Sequence, residues 1–254
     1  MSLKSYFILP LLLCATLLSA QRHREHPQPE EPRNKGKAIL AHLSLGTHLL
    51  GGDLADRFGR DNSIGLGADW LTENNLLIGL EGQYFFGNQV KEDPLAILRT
   101  AEGDLIGKDQ FLASVPLRQR GWYAGALIGK LFPFHDSRSG LRVTLGAGIT
   151  RHKIRVQDDQ SVMTQLTGNY ANGYDRLTGG LALQQFVGWQ HLAKNRRANW
   201  MIGFDFNQGF TNTLRDWDFT ERRKLDGKRI DLRFGIKASW TIPFYIGGAE
   251  NVYY

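Results

Sequence analysis

The chain has 254 residues, a formal net charge of +6, 42% apolar residues, 29 glycines and only eight prolines. That apolar fraction excludes disorder over the whole length, and glycine at about 11% with so few prolines is neither a collagen nor a linker composition. The lone cysteine, Cys14, excludes a disulfide framework, a cysteine-based zinc site and an iron–sulfur cluster in the mature chain.

The N-terminus reads as an export signal. Lys4 supplies a positive start, Tyr6 to Leu18 is almost unbroken apolar sequence, and Leu18-Ser19-Ala20 offers small residues for cleavage before Gln21. Residues 1–20 are therefore expected to be a signal peptide, since the apolar stretch is too short to span a bilayer comfortably. Two other readings stand beside this one. Cys14 can be the acylated cysteine of a lipoprotein signal, although Leu13 fills a position that normally takes a small residue, or the stretch can be a core element. Residues 21–37, QRHREHPQPEEPRNKGK, carry three prolines, mixed charge and hardly an apolar side chain, so a solvated periplasmic tail is expected.

From Ala38 onward the chain alternates with period two, eight times over. Ile39, Ala41, Leu43 and Leu45 oppose Leu40, His42, Ser44 and Gly46; Ile64, Leu66, Ala68 and Trp70 oppose Gly65, Gly67 and Asp69. Ile78, Leu80, Gly82, Tyr84 and Phe86 oppose Gly79, Glu81 and Gln83, and Trp122, Ala124, Ala126 and Ile128 oppose Tyr123, Gly125, Leu127 and Gly129. Leu141, Val143, Leu145, Ala147 and Ile149 oppose Arg142, Thr144, Gly146, Gly148 and Thr150; Leu181, Leu183, Val187 and Trp189 oppose Gly180, Gln184 and Gly188. Trp200, Ile202, Phe204 and Phe206 oppose Gly203, Asp205 and Asn207, and the series from Ile230 to Ile242 opposes Asp231, Arg233, Gly235, Lys237, Ser239 and Thr241. Each stretch runs about 9–13 residues, the length a tilted strand needs to cross a bilayer and longer than a soluble strand of about 5–6.

The glycine-rich polar face suits the lumen of a narrow barrel, where space is short. It holds charges of both signs, Asp69, Glu81, Asp205 and Asp231 against Arg142, Arg233 and Lys237, whereas no Arg or Lys interrupts the centre of an apolar series. The expected connections alternate as well. Leu49 to Asn62, Gly87 to Gln119, Lys153 to Asp175 and Thr211 to Arg229 are long; Thr72 to Asn75, Pro133 to Ser139 and Leu192 to Ala198 are short. Short periplasmic turns with longer extracellular loops characterise outer-membrane barrels. Trp70, Tyr84, Phe86, Trp122, Trp189, Trp200, Phe210, Trp240 and Phe244 fall near strand ends, where interfacial girdles sit. The fold class is therefore all-β, an eight-stranded antiparallel up-and-down transmembrane β-barrel over residues 38–245 in the cell outer membrane. Residues 246–254 either extend the last strand or form a short tail. A secreted soluble barrel or sandwich is the alternative.

In this pattern, and in RIDLRFGIKASWTIPFY at 229–245, the chain resembles small eight-stranded outer-membrane barrels of Bacteroidota, of the PorT-like and OmpA-like barrel type. The resemblance implies insertion by the barrel assembly machinery and contact with outer-membrane lipid and lipopolysaccharide.

An eight-stranded barrel is filled by its own side chains, which disfavours a diffusion pore. The lumenal charges, Asp69, Glu81, Arg142, Asp205, Asp231, Arg233 and Lys237, read as a satisfied polar network, with Glu81–Arg142 and Asp205–Arg233 as plausible pairs; a proton- or ion-conducting wire is the rival reading. His42 and Ser44 share a strand face about 7 Å apart. An imidazole beside a hydroxyl can activate it, with Glu81 orienting the ring. The pair resembles that of lipid A deacylases, although that family carries it toward the C-terminus. Omptin-like proteases fit worse, having ten strands.

No cofactor or metal site is expected. His23 and His26 lie in the tail, His48, His135, His152 and His191 are scattered, and Asp158-Asp159 is at most a weak Ca²⁺ or Mg²⁺ site. The basic residues do not gather on one face and form no nucleic-acid reader motif. Lys194, Arg196 and Arg197 fall in a short turn, and Arg222, Arg223, Lys224 and Lys228 in the fourth loop, where lipopolysaccharide phosphates would lie. The sequence thus points to a non-enzymatic barrel, a structural or accessory component of an envelope assembly, possible secretion machinery included, with an envelope protein as partner and the long loops as working surface. A lipid A-modifying enzyme and a loop-based adhesin or ligand-binding barrel are the alternatives.

Overall fold

In the computed structural model, which describes residues 36–134, 138–158, 162–193 and 198–246, the alternating segments become long strands. The signal and tail readings for residues 1–35, and the fate of residues 247–254, lie outside the described residues. The barrel strands are β1 (Lys37–Gly52), β2 (Arg60–Leu71), β3 (Leu76–Gly87), β6 (Leu117–Pro133), β7 (Gly140–Val156), β8 (Thr178–His191), β9 (Trp200–Thr213) and β10 (Arg229–Ile246). A two-stranded hairpin, β4 (Leu105–Ile106) with β5 (Leu112–Ala113), sits in the second long loop, and a short helix α1 (Asp53–Arg57) follows β1. Every barrel strand pairs antiparallel with its neighbours in the order β1-β10-β9-β8-β7-β6-β3-β2, and β1 closes the ring by pairing with both β10 and β2. The fold is a closed eight-stranded antiparallel barrel, whose own sheet has no free edge on which another strand could build.

The strands are longer than the alternation alone indicated, 12 to 18 residues. The first long loop shrinks accordingly. Instead of Leu49 to Asn62 it comprises only residues 53–59, because His48 and Asp61 continue the inward series and pair across β1 and β2. The other connections at that end are residues 88–116, 157–177 and 214–228; those at the opposite end are residues 72–75, 134–139 and 192–199.

Side chains of the apolar series point outward. Leu66, Leu80, Leu181 and Phe204 are each more than 60% exposed, so the outside of the barrel is an apolar belt. Trp70, Trp189, Trp200, Trp240 and Phe244 ring its short-turn end, and Tyr84, Phe86, Trp122 and Phe210 stand toward the long-loop end. The inward glycines have a steric role. Gly188 and Gly203 face each other across β8 and β9, and a Cβ on either would lie 2.7–2.8 Å from the ring of Phe186, which fills the lumen there. Gly67 likewise leaves room for the His42 imidazole.

Candidate functional site: the barrel interior and its loop cap

The floor of the barrel, at the short-turn end, is apolar. Ala38, Leu40, Leu71, Leu77 and Leu131 are inward residues at strand ends and pack with Leu192 of the adjoining turn into one buried cluster, with Tyr245 against it. Arg138 locks the turns beneath, donating to the Asn75 side chain at 3.0 Å and to the carbonyls of Gly36 and Thr72 at 2.5 and 2.6 Å.

Above the floor the lumen is filled by buried ion pairs, but not those expected. Arg142 pairs with Asp69 at 2.7 Å rather than with Glu81. Lys237 bridges Glu81 at 2.7 Å and Asp205 at 3.2 Å, with its ammonium 4.9 Å from the centre of the Phe186 ring. Arg233 pairs with Asp61 at 3.1 Å rather than with Asp205, and stacks 4.1 Å over Phe85. The sequence pairings fail because the tilt of the strands decides which inward positions meet across the lumen, and cross-lumen distance is invisible in the alternation. Neutral donors complete the carboxylates: Gln184 and Asn207 each donate to Asp205 at 2.9 Å, Gln83 to Glu81 at 2.8 Å and Gln119 to Asp61 at 2.8 Å.

Three histidines join this interior. His48 lies between Asp61 at 3.0 Å and Asp205 at 3.6 Å, and His152 contacts Asp231 at 2.8 Å, where Thr211 also donates at 2.6 Å. Asp231 is thus held by an imidazole and a hydroxyl, with Arg229 3.7 Å away. His42 is 3.4 Å from Asp69, too loose for a well-formed hydrogen bond. His42 and Ser44 are both buried and make no hydrogen bond to each other, and Asp69, not Glu81, is the carboxylate in contact with the ring. The sequence reading missed Asp61, which it placed in a loop, and gave His48 and His152 no role.

The top of the barrel is covered by residues from the connections 53–59, 88–116, 157–177 and 214–228. Arg57 of α1 reaches across the opening, donating to Glu92 at 2.7 Å, to the Arg176 carbonyl at 3.1 Å and to the Thr178 hydroxyl at 2.8 Å. The same Glu92 carboxylate binds Arg176 at 2.9 Å, and Arg176 also pairs with Asp218 at 2.5 Å. One chain of charges therefore ties together all four loops. Asp175 adds a second tie, to Arg215 at 2.5 Å and to Lys153 at 3.3 Å. Burial pulls the Arg57 guanidinium below its ordinary value against the opposing pull of Glu92, and the Asp175 hydrogen bond raises that of Arg215. Apolar packing supports the ionic ties. Leu54, Phe58 and Ile154 form a buried cluster over the lumen, and Leu95, Leu105, Val115, Met163, Leu166 and Tyr174 form another between the second and third loops, joined by Phe219 of the fourth. Phe111, Leu112, Ile106, Tyr170 and Trp217 remain exposed on this framework.

Among the described residues no group of three or more His, Cys, Asp or Glu side chains could hold a metal ion. Asp158 accepts the backbone N–H groups of Val162 and Met163, both at 2.9 Å, and so serves as a turn cap; its neighbour Asp159, with His23, His26, His135, Lys194, Arg196 and Arg197, lies outside the described residues. Outside the barrel, a shallow depression of 630 Å³ is lined by Leu66, Gly67, Ala68, Leu80, Glu81, Gly82, Ala124, Gly125 and Ile149.

No protein-family model and no curated protein matches the chain. Among solved structures it is similar to Neisserial surface protein A, at 12% identity and a TM-score of 0.43, over 83% of this chain and 100% of that one. It is also similar to Ail, the attachment invasion locus protein of Yersinia pestis, here in complex with the heparin analogue sucrose octasulfate, at 12% identity and a TM-score of 0.39 over 83% and 99% of the two chains. A third similar structure is outer membrane protein AlkL in lipid bilayers, at 13% identity and a TM-score of 0.37 over 90% and 99%. What the geometry itself defines is an ion-paired barrel with an apolar exterior, an apolar floor and a structured loop cap.

Proposed function

We propose that this protein is an outer-membrane barrel, exported through a cleaved signal peptide, that neither conducts nor catalyses and instead presents its loop cap as a docking surface for a protein component of an envelope assembly. The carrying observation is the pairing of a belt of exposed apolar side chains outside with an interior closed at both ends. A belt of that kind is costly in water and suits lipid, and a filled lumen leaves no route for solute. The work then falls to the loops. Phe111, 78% exposed, and Leu112, 74% exposed, project from the β4–β5 hairpin, and apolar side chains held out on a pre-packed framework favour a protein partner. The resemblance to PorT-like barrels supports a secretion-related assembly.

Affinity purification from the native outer membrane in mild detergent, followed by mass spectrometry, tests this reading. A stoichiometric protein partner is expected to co-elute with the native chain and to be lost from a Phe111→Ser, Leu112→Ser variant. Elution of the native barrel alone would contradict it.

The lipid A hydrolase reading places its chemistry on His42, Ser44 and Glu81. These side chains are buried, Glu81 is committed to Lys237 and Gln83, and Asp69 rather than Glu81 contacts the His42 ring, so the orienting carboxylate that this chemistry needs is not in place. Lipid A from cells carrying His42→Ala is expected to keep its acylation pattern; a changed pattern would restore the enzyme reading.

A further inference from the structure

The outer surface of β6 and β7 carries a concentration of positive charge that the described carboxylates leave largely uncompensated, although Lys153 meets Asp175 and Arg120 donates to the Gln119 carbonyl at 2.7 Å. Arg118 stands directly opposite Arg155, and Arg120 directly opposite Lys153. One rung lower Arg151 stands opposite Trp122, its guanidinium 5.8 Å from the indole ring. All five cations alternate with inward residues, Gln119 and Gly121 on β6 and His152 and Ile154 on β7, so they point away from the lumen. Like charges directly opposite on neighbouring strands are destabilising. Among the described residues no carboxylate forms an ion pair with Arg118, Arg120, Arg151 or Arg155. Lys153 reaches only Asp175, which Arg215 already holds. Arg118 is positioned by neutral acceptors, Gln157 at 2.7 Å and Asn88 at 2.6 Å. At the same height on β8 and β9, Gly179 faces Asn212 and Leu181 faces Phe210, without charge. The β8–β9 side of the rim carries no such repulsion.

What lies beneath the cations identifies the ligand. Tyr84 stands opposite Trp122 and Phe86 opposite Arg120, and the Tyr84 and Phe86 rings stack at 6.3 Å, giving an aromatic rung of the kind found at a membrane interface. Two residues further along the strands, about 7 Å lower, Gly82 faces Ala124 and Ala124 faces Ile149, and there the 630 Å³ depression opens between Leu66, Leu80 and Ile149. One face thus presents, in order, cations, aromatic rings and an apolar hollow. Arginine matches phosphate geometry through paired donors, and two cation pairs one rung apart suit two phosphate groups.

We infer that the β6–β7 face, with the hollow below it, is a binding site for a multiply acylated, bis-phosphorylated glycolipid of the outer leaflet, its phosphates on Arg118, Arg120, Arg151, Lys153 and Arg155 and one acyl chain in the hollow over Gly82 and Ala124. This inference rests on the membrane reading above and assigns that membrane's lipid to one side of the barrel. It is distinct from the fourth-loop cations Arg222, Arg223 and Lys224, which lie on the cap.

The test is native mass spectrometry of the full mature chain in detergent micelles, titrated with bis-phosphorylated lipid A and, separately, with the same lipid after removal of its phosphates. The native chain is expected to retain the phosphorylated lipid at least about tenfold better. An Arg120→Gln, Arg151→Gln, Arg155→Gln variant should lose that preference, an Ala124→Leu variant should weaken both lipids, and an Arg222→Gln, Arg223→Gln variant should bind as the native chain does. Neutralising opposed cations relieves repulsion, so the triple variant should still show the mobility difference between unboiled and boiled samples on a denaturing gel. If it does not fold, single Arg120→Gln and Arg151→Gln substitutions must each lower retention about threefold. Equal retention by variant and native chain overturns the inference, as does preference for a soluble sulfated oligosaccharide over the lipid. A chain that does not insert into lipid nanodiscs overturns the membrane reading and this inference with it, whereas insertion without lipid preference overturns this inference alone.

Discussion

At the short-turn end the barrel is closed by aliphatic side chains that are themselves strand residues, Leu40, Leu71, Leu77 and Leu131 among them. At the long-loop end it is closed by side chains that come mostly from outside the strands, Arg57, Glu92, Arg176 and Asp218. The first closure is non-directional and follows from strand parity. The second is ionic and directional, and joins residues as far apart in sequence as Arg57 and Thr178. A floor of this kind makes a rigid plug, whereas a cap of this kind makes a surface whose shape can vary while the barrel below stays the same. Between them, the paired charges of the lumen belong to both designs, placed by parity but satisfied across the barrel.

Four single substitutions and one combination separate these regions. Lys237→Ala leaves Glu81 and Asp205 buried without their shared cation and should cost about 3–5 kcal/mol, read as a lower urea midpoint in tryptophan fluorescence of the folded barrel. Combining Lys237→Met with Glu81→Gln and Asp205→Asn should recover most of that loss, since no uncompensated charge remains. Leu77→Ala in the floor should cost about 2–4 kcal/mol through the cavity it opens, in the same unfolding transition. Glu92→Gln frees Arg57 and Arg176 from each other and should cost about 1–3 kcal/mol. That loss should appear as faster hydrogen exchange and proteolysis within residues 53–59 and 157–177, with the urea midpoint of the barrel nearly unchanged. Phe111→Ser, on the exposed hairpin, should leave stability within about 0.5 kcal/mol and act only on partner capture. If Glu92→Gln instead unfolded the whole molecule, the division between barrel and cap would be wrong.

The barrel was legible in the sequence because its two determinants are local. Period-two alternation marks the strands, and the expected alternation of short and long connections holds for three of the four long loops, the first having shrunk to residues 53–59. Glycine at Gly67, Gly188 and Gly203 announced a crowded face, although only the structure shows that His42 and Phe186 are what crowd it. The ion-pair partners were not legible. Alternation says that Arg142 and Asp69 point inward but not that they meet, because strand tilt sets the match across the lumen. Asp61 was lost because the first loop was expected to begin at Leu49, where the outward series gives way to glycine, although His48 still points inward. The cap left a fainter signal. The second loop contains Leu95, Ile97, Leu98, Leu105 and Ile106, more apolar side chains than a solvated loop requires, which foretold packing without saying against what. The expectation that the basic residues do not gather on one face was wrong for β6 and β7, because the gathering lies in the cross-strand register that sets Arg118 against Arg155 and Arg120 against Lys153.

The central claim is that the barrel spans the membrane yet is sealed, so that its function lies on its surfaces. Planar-bilayer recording with the purified full mature chain tests it most directly, with insertion established independently by the unboiled gel mobility of the same preparation. Both the native protein and Glu92→Gln, whose cap is loosened while the floor stays intact, should insert without discrete conductance steps. Stable, voltage-independent steps from the native protein would mean that an open path runs past Lys237 and the leucine floor, and would contradict the account.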